Sequence, residues 1–152
     1  MKEEKLLAVL RLQKSKAIGD ILAKKLIVNV GDVAQIFKEK SSTLQKINGI
    51  GNHAIKHLLD SKNILEAERE LAYIKKNNIE YTYFLEDDYP INLQNCIDSP
   101  ILFFKDGNIN FNSHKIISIV GTRNMSSYGR DFCTKLVEDI AEFNPIIVSG
   151  FA

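Results

Sequence analysis

The strongest constraint on the fold is a change in the spacing of apolar residues after Asn77 and Asn78. Before this point apolar residues recur at the 3.6-residue interval of a helix, as at Ile64, Ala67, Leu71 and Ile74. After it, residues 79–85 alternate between the two sides of an extended chain, which is typical of a strand. The sequence therefore predicts an α+β protein with a helical domain at 1–78 and a second domain at 79–152.

The two predicted domains also differ in charge. Residues 1–78 contain 15 lysines and arginines against 9 acidic residues, whereas residues 79–152 contain 5 against 10. The net charge of +1 therefore hides two opposite balances. Such blocks indicate units with different surfaces, although lysine-rich helices are also simply well solvated.

Cysteine use and the amino-terminal residues indicate the compartment. Cys96 and Cys133 are far apart and lack the spacing of a metal site, so we expect reduced thiols in the cytoplasm. The chain opens with four charged residues in its first five, unlike a signal peptide. No apolar run reaches the length of a membrane span, so no membrane association is predicted.

A repeated turn lies in the helical half. Residues 17–20 read Ala-Ile-Gly-Asp and residues 49–52 read Gly-Ile-Gly-Asn, 32 positions later. Both resemble the helix-hairpin-helix motif, whose backbone N–H groups at a helix start can hold a DNA phosphate. Gly19, Gly49 and Gly51 are therefore predicted as secondary DNA contacts. Ala17 stands where the motif has glycine, so a purely structural turn is the alternative.

The second half contains a predicted strand–helix–strand unit. Residues 116–120 form a continuous apolar strand, with Ser126 or Ser127 as the N-cap of the following helix. Residues 145–148 form the next strand, which makes a βαβ unit of the kind that opens a doubly wound parallel sheet. Two strands alone would leave such a sheet poorly covered, so we expect a truncated domain.

The turn between the first strand and its helix is the main candidate site. Gly121, Thr122 and Arg123 follow the strand, where backbone N–H groups and the helix dipole favour an anion. Arg123 adds a guanidinium that can hold a phosphate through two hydrogen bonds. Neither a dinucleotide fingerprint nor a P-loop is present. An ordinary turn with a solvated arginine is the alternative.

Five segments in order resemble the motif series of the DprA/Smf family of DNA-processing proteins. They are Tyr89–Leu93, Asp98–Phe103 with Lys105 and Gly107, Ile119–Arg123, Tyr128-Gly129, and Val148–Ala152. The helical half is similar in kind to the SAM-like, hairpin-rich region of that family. The resemblance implies an N-terminal SAM-like, helix-hairpin-helix-type domain, followed by the start of a Rossmann-like domain.

The same resemblance implies a function and a site. In the family, the domain binds single-stranded DNA, protects it and delivers it to the RecA recombinase in natural transformation and recombination. The Gly-Ser/Thr-Arg turn of the family falls on Gly121, Thr122 and Arg123, and a second motif matches Ser149 and Gly150 before the chain stops. No cofactor, metal or catalytic residue is implied, and self-association is expected through the rest of the sheet.

Two other classes of protein remain open. One is a Rossmann-like nucleotide-processing hydrolase, although no nucleophile with a base is evident. The other is a helical module that docks a protein partner, which fits the basic half as well as DNA binding does. His53 and His57 have the spacing of two metal ligands on a helix, but no third ligand is evident, so no metal site is predicted.

Overall fold

The computed structural model describes residues 1–108, 110–112 and 115–150. The chain forms two compact units, Met1–Gly107 and Asn108–Ala152, here called the helical unit and the βαβ unit. Helices and a few short strands make up the chain, which confirms the predicted α+β class. None of the helices in the described ranges is long and apolar enough to cross a membrane.

The helical unit contains helices and one antiparallel strand pair. The helices are α1 (Glu3–Lys14), α2 (Asp20–Val30), α3 (Val33–Ile36), α4 (Ser41–Leu44), α5 (Asn52–Leu58), α6 (Ser61–Lys76) and α7 (Ile91–Gln94). The strands β1 (Glu80–Tyr83) and β2 (Leu102–Lys105) pair with Glu80 opposite Lys105 and Tyr83 opposite Leu102. Helix α1 packs along α6 and against α3, and its Val9, Leu10 and Leu12 are fully buried.

Helix boundaries follow local capping chemistry. Gly31 ends α2 in the left-handed conformation at φ +88°, which glycine adopts without a steric penalty. Asp32 then caps α3, because its carboxylate accepts a hydrogen bond from the Ala34 N–H at 2.7 Å. Helix α3 therefore begins directly after Asp32. Helix α4 begins at Ser41 without a side-chain cap, because Lys40 occupies its N-cap position.

The helical unit extends beyond the predicted boundary at Asn78 because the strand pair completes its core. Tyr83, Ile101 and Leu102 are buried within the same cluster as the helical side chains. Hydrogen bonds reinforce this packing, since the Gln13 side chain donates to the Leu102 carbonyl at 2.9 Å. The change from helix to strand thus occurs at the predicted place, whereas the compact unit ends at Gly107.

The βαβ unit contains β3 (Ile116–Ile119), α8 (Ser127–Ile140), a 3₁₀ turn (Ala141–Phe143) and β4 (Ile146–Ser149). Strands β3 and β4 pair in parallel, with Ile116 opposite Ile146, so the predicted strand–helix–strand connection is confirmed. The Ser126 hydroxyl caps α8 by accepting from the Gly129 N–H at 3.1 Å, as predicted. The predicted strand residue Val120 lies beyond β3 and is 92% exposed.

Tyr83 carries an unpaired polar atom into the core. The residue is fully buried, and its hydroxyl has no hydrogen-bond partner among the described residues. The Lys5 ammonium lies over its ring at 4.9 Å from the centroid. Burial raises the pKa of the Tyr83 hydroxyl, and the negative charges of Asp32 and Glu86 add to the shift. The hydroxyl is therefore a cost to stability that increases at alkaline pH.

Tyr83→Phe is expected to leave the free energy of unfolding at pH 7 unchanged, or to raise it by up to about 1 kcal/mol. In the parent, the unfolded chain releases the Tyr83 proton near pH 10 while the folded chain retains it, so stability falls as pH rises above about 10. Phenylalanine removes that loss. Urea unfolding at pH 7 and at pH 10.5 measures both effects.

The matched control is Tyr81→Phe on the same strand, where the side chain is only partly buried. It is expected to lose as much stability at alkaline pH as the parent does. Equal alkaline losses in the parent and in Tyr83→Phe would show that another group causes the loss.

Candidate nucleic-acid interface

The predicted phosphate-binding residues come together at one edge of the parallel strand pair. Ile119 is opposite Ser149 in the register, so β3 and β4 end side by side. Gly121, Thr122 and Arg123 follow the end of β3, while Gly150 follows the end of β4. We call residues 120–123 with 149–150 the glycine edge. The family residues Phe151 and Ala152 lie outside the described residues.

Hydrogen bonds order the turn that leads from the glycine edge into α8. The Thr122 hydroxyl accepts from the Asn124 N–H at 3.2 Å, and Ser126 caps the helix three residues before Gly129. The start of α8 therefore follows the glycine edge with a defined geometry. The amides of a helix start carry partial positive charge, which favours an anion at this position.

Arg123 is the charged group of the glycine edge. Its side chain is exposed, and it makes no hydrogen bond or ion pair with any residue of the described ranges. Residues 120–130 contain two arginines, Arg123 and Arg130, and no acidic residue. The local charge is therefore positive, although the half of the chain beyond residue 78 is acidic as a whole. A guanidinium without a protein partner is free to form a two-hydrogen-bond contact with a phosphate.

Two aromatic rings near the start of α8 were not predicted as contacts. Tyr128 and Phe132 stack with centroids 6.4 Å apart and an interplanar angle of 25°. They are 78% and 56% exposed. Their four-residue spacing on a helix is a signal that the sequence contains. Tyr83 of the helical unit, by contrast, is fully buried.

The two helical hairpins share one backbone pattern. The Ile18 N–H donates to the Ser15 carbonyl at 2.8 Å, and 32 residues later Ile50 donates to Ile47 at 3.0 Å. Gly19 and Gly51 are the N-caps of α2 and α5, both with extended backbone and without a side-chain cap. The sequence repeat is therefore also a structural repeat.

The two hairpins differ in the residue that follows the capping glycine. Asp20 begins α2, and its carboxylate accepts a hydrogen bond from the Ile101 N–H at 2.8 Å. A negative group at this position disfavours a phosphate. Asn52 begins α5, and its side chain is neutral and accepts from the Gln45 side chain. Of the predicted contacts, Gly49 and Gly51 thus lie in the electrostatically more permissive turn, whereas Gly19 precedes the Asp20 carboxylate.

Asp88, His53 and His57 of the helical unit contact other side chains. Asp88 accepts hydrogen bonds from Lys105 at 2.8 Å and Thr82 at 2.7 Å, and these two bonds lower the pKa of its carboxyl. His53 and His57 lie edge to face with centroids 4.6 Å apart. Across the described residues, no group of three histidine, cysteine or acidic side chains could hold a metal ion. His114 lies outside the described residues.

Comparison with known proteins identifies the class. The family model described as DNA recombination-mediator protein A matches residues 80–152, which begin with β1 and include the glycine edge. DNA processing protein DprA of Bacillus subtilis (strain 168) is 33% identical over 85 residues, covering 55% of this chain and 29% of the relative. DNA processing protein DprA of Streptococcus pneumoniae (strain R6) is 31% identical over 83 residues, covering 53% and 29%.

Protein Smf of Synechocystis is 23% identical over 141 residues, which cover 90% of this chain and 35% of the relative. The family-model match and these relatives confirm the resemblance to the DprA/Smf family that the motif series predicted. It spans about a third of the length of these curated relatives.

The backbone conformation of Gly49 and its contact with Leu22 can be tested by substitution. It has φ +95°, and a Cβ at this position would lie 2.8 Å from Cδ2 of Leu22. Gly49→Ala is therefore expected to lower the free energy of unfolding by about 1–3 kcal/mol, measured by chemical denaturation. Gly51→Ala is the matched control, because Gly51 has negative φ and no atom within 4 Å of its added Cβ. Its effect is expected to stay within about 0.5 kcal/mol, and equal losses in both variants would contradict the argument.

Proposed function

We propose that this chain takes part in DNA processing as a non-catalytic single-stranded-DNA-binding protein, with its phosphate contacts at the glycine edge. The observation that carries the proposal is the parallel pairing of β3 and β4. Because the two strands end side by side, the glycine-containing segments that follow them lie at one edge. Arg123 supplies the charge, and Gly121, Thr122, Ser149 and Gly150 supply the backbone around it.

The chemistry of the glycine edge suits a phosphate rather than a base edge. Backbone amides, a helix start and a guanidinium all recognise a phosphate independently of sequence. Exposed Tyr128 and Phe132 offer faces on which unpaired bases stack, and such stacking tolerates any base. Stacking of this kind requires unpaired bases, so the preferred ligand is a single strand.

The family supplies the biological setting of the proposal. Its model is described as a recombination mediator, and two relatives are named DNA processing proteins. We place the whole protein in natural transformation and recombination, where it protects single strands and delivers them to the RecA recombinase in the cytoplasm. Self-association through a larger sheet belongs to the same proposal.

The finer fold assignments are part of the proposal as well. Two hairpins with the same hydrogen bonds support a SAM-like, helix-hairpin-helix type for the helical unit. A parallel βαβ connection with a glycine turn after its first strand supports a Rossmann-like type for the βαβ unit. Gly49 and Gly51 then form a secondary contact for the DNA backbone.

Hydrolysis is the weaker alternative. Residues 120–130 contain no acidic residue, histidine or cysteine, so the turn offers no general base and no activated nucleophile. A binding protein requires neither.

Arg123→Ala is expected to weaken binding of labelled oligo-dT roughly tenfold, because one charge-assisted contact is lost. The slope of log affinity against log salt should fall by about 0.7, as expected when one phosphate contact to a single strand is lost. Fluorescence anisotropy at several salt concentrations measures both quantities. Arg69→Ala is the matched control, an exposed arginine on α6 of the helical unit. Equal affinities for Arg123→Ala and the parent would refute the site, and turnover of nucleotides by the parent would favour a hydrolase.

Tyr128→Ala is expected to weaken single-strand binding at least about fivefold, because one base loses its stacking surface. Its salt slope should stay that of the parent, since no charge is removed. Tyr73→Ala is the control, a tyrosine of α6 that is 62% exposed. The same titrations measure the effect, and an unchanged affinity in Tyr128→Ala would show that the Tyr128 ring does not contact the DNA.

A further inference from the structure

A groove with an apolar floor lies within the helical unit, separate from the glycine edge. It has a volume of about 830 Å³ and runs between α2 and the segment 84–99. Its lining includes Ile21, Val28, Leu85, Ile91 and Ile97, which are 39% to 73% exposed. These are five of the nine large hydrophobic side chains that the helical unit exposes. Concentration of exposed apolar surface in one concave place is typical of an interaction site.

The walls of the groove are held in place by polar contacts. The Lys24 ammonium on α2 donates to the Cys96 carbonyl at 3.2 Å, the Ile97 carbonyl at 3.3 Å and the Ser99 hydroxyl at 2.6 Å. Asp20, one turn earlier on α2, holds the Ile101 N–H. The groove is therefore formed before any ligand arrives, which lowers the entropic cost of binding.

Opposite charges stand on the two rims. Lys25 lies on α2 and Asp87 lies on the facing segment, and both are exposed lining residues. Neither forms an ion pair with another residue of the described ranges. A complementary ligand therefore has an apolar stripe with a negative group along one side and a positive group along the other.

We propose that this groove docks a short amphipathic helix of a protein partner. Ile21 and Val28 are seven residues apart on α2, so the wall is about 10 Å long and matches two turns of a partner helix. Such a helix presents apolar side chains at i, i+3 or i+4, and i+7, flanked by an acidic and a basic residue. The site is independent of the proposed DNA contacts.

The same observations disfavour two other occupants. A nucleic-acid backbone would place phosphates beside Asp87 and Glu86 over an apolar floor, which the charge does not allow. The groove of a second copy is also concave, and two concave faces leave an unfilled space between them instead of a packed contact. A convex helix fills the groove.

The test is a phage-displayed library of 12-residue helical peptides selected against the whole chain. Enriched peptides are expected to carry the apolar i, i+3/i+4, i+7 pattern with opposite charges on its two sides. Each synthesised peptide should bind Val28→Glu at least tenfold more weakly than the parent, by fluorescence anisotropy. Leu65→Glu is the matched control, because Leu65 is an exposed leucine of α6 outside the groove.

Charge reversal tests the orientation of the partner helix. Lys25→Glu should weaken the binding of a peptide whose acidic residue faces Lys25. A peptide with its two flanking charges exchanged should bind Lys25→Glu with the lost affinity restored. Saturating oligo-dT should leave peptide affinity unchanged. Ile97→Glu repeats the test on the other wall if Val28→Glu lowers stability, which circular dichroism on heating reveals.

Three outcomes would overturn the proposal. If the selection enriches no amphipathic pattern, the groove does not bind an amphipathic helix. If the peptides bind Val28→Glu and Ile97→Glu as tightly as the parent, the groove is not their binding site. Sedimentation velocity supplies the third outcome. If the parent self-associates and Val28→Glu is monomeric, the groove belongs to an interface between copies of this chain.

Discussion

Helix α2 holds the connection between the helical core and the family-matched segment through two charged side chains one turn apart. Asp20 accepts the Ile101 N–H, and Lys24 holds the loop before it through three acceptors. Isolated surface charges contribute little to stability, but charges that satisfy backbone groups of a loop also fix its path. These contacts position β2 and one wall of the groove. They also place a carboxylate at the start of α2, in the first hairpin.

The chain offers two surfaces of opposite chemistry. The glycine edge is exposed, positive and made largely of backbone, which suits a charged polymer recognised without regard to sequence. The groove is concave, apolar and bordered by both signs of charge, which suits a folded segment of protein. The family match covers the glycine edge and one wall of the groove, whereas α2 supplies the other wall.

Sequence alone predicted the features that depend on local chemistry. The strand at 116–119, the helix after it and its Ser126 cap each follow from residues within a few positions of one another. Gly121, Thr122 and Arg123 were predicted from the turn before the helix, whereas Ser149 and Gly150 were implied by the resemblance to the DprA/Smf family. The extent of the helical unit was not predictable in this way, because Lys24 finds its partners more than seventy residues away. Val120 was predicted as a strand residue but lies beyond β3, because the pairing with β4 ends at Ile119 and Ser149.

The strands β1 and β2 belong to the family-matched segment by sequence and to the helical unit by packing. Tyr83, Ile101 and Leu102 complete a core whose other members all precede residue 80. The start of the family-model match and the boundary between the two compact units therefore lie at different places in this chain. A fusion or domain exchange that joined a foreign helical region directly before Glu80 would transfer the family-matched segment without the side chains that bury its first two strands. A substitution in the helical core is consequently expected to disturb the packing of β1 and β2 as well.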